Sequence, residues 1–194
     1  MTLERQGGYE TFLKTLKKRI ASAQIRAALA VSRELVALYW EMGRDLALEQ
    51  DGRQWGGKML RQVARDLSHA FPGVEGLSER NLYRMVRLYR TYPESLPQAV
   101  ATLPWGHIAV LLQKVQDPEA RLWYAQAAFE HGWSRNILEI QIDTRLLERQ
   151  GAAITNFSKT LPPPQSDLAQ QILKDPYNFD FLTLASNHLE RPSP

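Results

Sequence analysis

The sequence predicts an all-α protein: a multi-helix domain with a long N-terminal helix and a basic pair of helices resembling a helix-turn-helix. Three observations carry this expectation. Apolar residues recur at three- and four-residue spacing along most of the chain, and prolines and glycines fall between the periodic runs. No stretch shows the two-residue alternation of a half-buried strand. At 194 residues the chain can hold one sizeable core with an appendage.

Residues 1–8, ending in Gly7-Gly8, are expected to be disordered. A helical domain is expected over 9–155, and 156–194 as a linker and hinge. From Tyr9 to about Gln50 no proline interrupts the helical pattern. Leu13, Leu16, Ile20, Ala23, Ala27 and Ala30 form one stripe, and Val31, Leu35, Leu38 and Met42 form a second, shifted by one residue near Ala30. A helix this long exceeds what a small domain covers. Homodimerisation through Leu13, Leu16, Ile20, Leu35 and Leu38 is therefore expected, with folding back onto the chain's own core as the alternative. Gly43 is a candidate break.

The helix pair follows. Residues 55–71, WGGKMLRQVARDLSHAF, turn Leu60, Val63, Ala64, Leu67 and Phe71 inward and Lys58, Arg61 and Arg65 outward. Pro72 ends this helix, and the glycines of PGVEGLS (72–78) permit a sharp turn. Ser78 is placed to cap the next helix with its hydroxyl. Along LSERNLYRMVRLYRTY (77–92), Leu82, Met85, Val86, Tyr89 and Tyr92 share one side, while Arg80, Arg84, Arg87 and Thr91 share the other. Residues 53–91 hold eight Lys/Arg against three Asp/Glu, a net +5 in a chain whose total is only +3. The positive charge is thus concentrated on the pair, which is the electrostatic footprint of a polyanion-binding surface. Lys58, Arg61, Arg65, Arg80, Arg84, Arg87 and Arg90 are the expected contacts, with Asn81 and Tyr83 as further partners for base or phosphate. A solvated basic face is the bland alternative.

Beyond the pair, Pro104 suits the first position of a helix over 103–115. Asp117-Pro118-Glu119 supplies cap, proline and first-turn carboxylate for a helix reaching His131, before Gly132. Ser134 is expected to cap one more helix, ended by Gly151. Pro162-Pro163-Pro164 reads as a stiff spacer, with a short helical piece over 166–174 beyond it.

Several chemistries are disfavoured. The chain has no cysteine, so disulfides, thiolate metal sites and cysteine nucleophiles are excluded. Neither a signal-peptide core nor an 18-residue apolar run is present, and the expectation is a cytoplasmic protein with no membrane partner. Gly52 and Gly57-Lys58 match a phosphate-binding loop until Met59 occupies the place of the magnesium-ligating hydroxyl. His69, His107, His131 and His188 lack metal-ligand spacing. No metal, cofactor or catalytic residue is expected. Core packing is the ordinary role for Trp40, Trp55, Trp105, Trp123 and Trp133, with Trp55 the one to test for exposure.

Taken in order, WGGKMLRQVARDLSHAF, GLSERNLYRMVRLYRTYP, LPWGHIAVLL, RLWYAQAAFEHGWSRNILEIQI, NFSKTLP and DPYNFDFL resemble the N-terminal domain of YhcG-like bacterial proteins over roughly residues 10–185. The Leu-Pro-Trp-x-His and Trp-Ser elements are the specific ones. The resemblance implies a helical domain that precedes a PD-(D/E)XK nuclease domain, with DPYNFDFL as the hinge between them. It also implies a part in DNA or RNA processing. These 194 residues contain no Glu-x-Lys, so cleavage is not expected of them. The expectation is a dimeric module that binds DNA, or RNA, beside an attached or partner nuclease domain. The alternative is an assembly scaffold without nucleic-acid contact.

Overall fold

A computed structural model describes residues 2–53 and 58–152, together with Ile172, Tyr177 and Asn178. Among the described residues the chain is all-α: eight α-helices, one 3-10 turn and no strand. Trp55, the polyproline stretch and almost all of the expected hinge lie outside them.

The first helix, α1 (Thr2–Arg53), runs 52 residues, about 78 Å at 1.5 Å per residue. It begins at Thr2, whereas the sequence suggests a disordered end over 1–8. Gly7 and Gly8 each cost a helix only about 1 kcal/mol relative to alanine, too little to end one. Gly43 does not break α1 either. The helix crosses α3 (Glu79–Thr91) here so closely that a Cβ at Gly43 would collide with the Met85 carbonyl. Glycine is required by the crossing, not by a kink.

From Ala28 onward α1 turns Ala28, Leu35, Val36, Tyr39 and Ala47 into the core. Before Ala28, none of its described side chains is fully buried, and Tyr9, Phe12 and Ile20 stay largely exposed. The covered face of α1 therefore does not coincide with either stripe read from the sequence: Leu35 and Leu38 belong to one stripe, yet only Leu35 is buried. Leu35, at 1% exposed, leaves the expected dimer contacts because its own core already covers it. Leu13 and Leu16 are half-buried, and Ile20 and Leu38 are 60% and 37% exposed.

α2 (Lys58–Ala70) buries Met59, Leu60 and Ala64. The chain then turns through Gly73, at φ 89°, and the 3-10 turn Glu75–Leu77 into α3. Ser78 sits at the N-cap with extended backbone, but its hydroxyl makes no capping bond. The turn places the chain correctly without that bond. α3 is the central element, packed on α1, α2 and α5 and burying Asn81, Leu82, Met85, Val86 and Leu88.

A short α4 (Gln98–Ala101) precedes α5 (Trp105–Lys114), whose N-cap is Pro104. Asp117 caps α6 (Pro118–Glu130), accepting from the Ala120 N–H at 2.7 Å, and Ser134 caps α7 (Arg135–Asp143), accepting from Ile137 at 3.1 Å. The single helix expected after Ser134 is two. α7 ends at Thr144, Arg145 adopts φ 51°, and α8 (Leu146–Ala152) begins. The break swings Leu147 back to α6, where its N–H donates to the Tyr124 hydroxyl.

Arg121 is buried, with no carboxylate partner among the described residues. Its guanidinium donates to the carbonyls of Val115 and Gln116 at 2.8–3.0 Å, placing a positive charge at the negative end of α5. Its spacing to Tyr124, Ala125 and Ala128, all inward, is the sequence signal for this position. No helix among the described residues is long and apolar enough to cross a membrane.

Candidate nucleic-acid interface

Because α3 buries most of its circumference, only a narrow stripe reaches solvent: Arg80, Tyr83, Arg87 and Arg90, with Arg84 and Thr91 half-exposed. Three of these arginines converge. Arg80, Arg84 and Arg87, together with Tyr83, line a groove of 250 Å³ whose far wall is Ala109, Leu112 and Gln113 of α5. A second hollow of 590 Å³, lined by Gln50, Tyr83, Val86, Arg87, Arg90 and Thr91, shares Tyr83 and Arg87 with the first. The two adjoin along α3.

The cations divide by partner. Arg61 holds Glu79 at 3.2 Å, and Arg90 holds Asp51 at 2.9 Å. Among the described residues no carboxylate lies within ion-pair distance of Lys58, Arg65, Arg80, Arg84 or Arg87. Among the described residues the groove therefore carries three guanidinium groups without a carboxylate partner, while the cluster's edges are partly neutralised.

Asn81 departs from the expectation. It is 1% exposed and faces the core. Its amide donates to the Gly76 carbonyl at 2.6 Å and accepts from the Trp105 indole at 2.7 Å, so both ends of the side chain are occupied. The periodicity that puts Arg80 and Arg84 outside puts Asn81 inside. The α5 wall and Gln50 went unread in the sequence, because residues from distant helices leave no local pattern.

His107 is buried, and its Nε2–H donates to the Trp133 carbonyl at 2.8 Å. Burial holds its pKa below the ordinary histidine value, and Arg135 adds to the depression, so at neutral pH it is uncharged. Among the described residues no group of three or more His, Asp or Glu could hold a metal ion. Lys58 and Met59 open a helix, and no strand precedes them among the described residues, so the phosphate-loop match is coincidental.

Comparison with known proteins now bears on this arrangement. The DUF1016 N-terminal domain model matches residues 15–149. The chain belongs to that family. The elements that carried the resemblance meet inside this DUF1016 domain: Asn81 of the arginine helix bonds Trp105, and His107 two residues later bonds Trp133. The chain is also 25% identical, over 223 aligned positions and 94% of its length, to an Escherichia coli (strain K12) protein named "Putative nuclease YhcG". It spans 58% of that relative's length. No solved structure matches.

Proposed function

We propose that this DUF1016 domain is a nucleic-acid-binding module, with DNA as its expected partner, that accompanies a PD-(D/E)XK nuclease domain and does not itself cleave. The carrying observation is the groove in which Arg80, Arg84 and Arg87 converge beside Tyr83, with no carboxylate among the described residues within ion-pair distance of them. Uncompensated guanidinium groups gathered on one surface attract phosphate and release counterions when they bind it. The name of the E. coli relative supports the association with a nuclease. Association of two copies through the outward stripe of α1 belongs to the same proposal.

The test is binding of fluorescent mixed-sequence DNA, and of the matching RNA, across a salt series. Arg84→Ala and Arg87→Ala should each flatten the dependence of log affinity on log salt by about one unit. A double variant with unchanged affinity and slope, or no binding by the native chain at about 50 mM salt, overturns the proposal. Magnesium-dependent nicking by this chain overturns the non-catalytic part.

A second reading is favoured by a different observation. Tyr9, Phe12 and Ile20 are 63%, 59% and 60% exposed on α1, apolar side chains that association with another chain would cover. On that reading the domain is an assembly scaffold and the groove arginines are only solvated. Self-association that survives in a chain unable to bind any polynucleotide would select it.

A further inference from the structure

We propose that the groove along α3 takes a single-stranded polynucleotide rather than a duplex. This rests on the nucleic-acid reading above and narrows its substrate class. A helix that reads duplex DNA lies in a major groove about 12 Å wide, with its N-terminal residues against base edges. Such a helix has to stand proud of its domain. α3 does not: Asn81, Leu82, Met85, Val86 and Leu88 are all buried, and the first-turn residue best suited to adenine, Asn81, is held by Gly76 and Trp105. What remains accessible is one stripe, walled by Ala109, Leu112 and Gln113 on one side and by Gln50 on the other. A trough of this kind admits one strand.

The residues in the trough suit a strand. Arg80, Arg84, Arg87 and Arg90 follow one another along the stripe, and Arg80 to Arg87 spans about 10 Å at 1.5 Å per residue. At the ~3.4 Å rise of stacked nucleotides, that covers about three phosphates. Tyr83 stands where the two hollows adjoin, 44% exposed. An exposed aromatic ring among arginines is the pairing by which proteins stack a base while gripping its backbone, and it needs the base unpaired.

The experiment measures affinities of the full chain for oligothymidylate, for oligouridylate and for a mixed duplex of equal length, compared per phosphate. The expected result is tighter binding of at least one single strand than of the duplex. Tyr83→Ala should weaken that binding by about 5- to 150-fold, the loss of one base stack, with the circular dichroism spectrum unchanged. Tyr83→Phe, which keeps the ring, should retain it. A duplex bound at least as tightly as both single strands, or single-strand affinity indifferent to Tyr83→Ala, overturns this inference and leaves the nucleic-acid reading standing. Failure of every probe to bind overturns both.

Discussion

The indole N–H of Trp105 donates to Oδ1 of Asn81 across 2.7 Å, joining the first residue of α5 to the first turn of α3. Both residues are buried, and the Asn81 amide continues the link to the Gly76 carbonyl in the turn before α3. The arginine helix is thereby fixed against the α5 wall of the groove by a buried polar clamp.

Replacing Asn81 with leucine should be costly for that reason. It leaves a buried indole N–H and a buried carbonyl without partners, at about 1–3 kcal/mol each. Urea denaturation should show a loss within about 2–6 kcal/mol. A change below about 0.5 kcal/mol, typical of an exposed site, would mean that the clamp holds nothing.

Acidification should destabilise the domain through His107. Its folded pKa lies below the ordinary value of 6.5, so below about pH 6.5 the unfolded chain takes up a proton that the folded chain refuses. Stability is complete above that pH and falls as pH drops toward the folded pKa, by at most about 1.4 kcal/mol per pH unit. His107→Gln keeps a donor toward the Trp133 carbonyl and cannot titrate. Comparing denaturation curves at neutral and mildly acidic pH, the variant should lose less stability than the parent. An equal loss would assign the pH dependence to other groups.

The basic residues should rank by whether they already hold a carboxylate. Arg61 and Arg90 are engaged with Glu79 and Asp51, and giving up those exposed pairs for phosphate offsets part of the gain. Arg61→Ala should therefore reduce nucleic-acid affinity less than Arg84→Ala in the same salt series. The reverse order would move the interface away from the groove and onto α2.

Two leucine-stripe positions read alike in the sequence and should behave oppositely. Ile20→Glu charges an outward face and should abolish self-association in sedimentation while leaving the melting temperature nearly unchanged. Leu35→Ala empties part of the core and should cost about 2–5 kcal/mol without altering association. Dissociation caused by Leu35→Ala alone would place the contact on the wrong face of α1.

How far the sequence could be read follows from which interactions are local. Periodicity found α2 and α3, and cap chemistry found the starts of α6 and α7, because both are written within one or two turns. It placed the arginines outside for the same reason. It could not tell which face of α1 is covered, since Leu35 and Leu38 differ only in what packs beside them. Nor could it anticipate that Asn81 would be taken by an indole 24 residues away, or that Arg145 would bend the chain so that Leu147 meets Tyr124.

The continuity of α1 past Ala28 also fixes a phase. The part of the rod beyond the body and the part clamped on α3 share one helical screw, so deleting a single stem residue rotates the outer stripe by about 100° about the axis. Deleting seven rotates it by only about 20° and draws it in by about 10 Å. The stem behaves like a keyed shaft, tolerant of deletions close to a whole number of helical turns and intolerant of those that fall between.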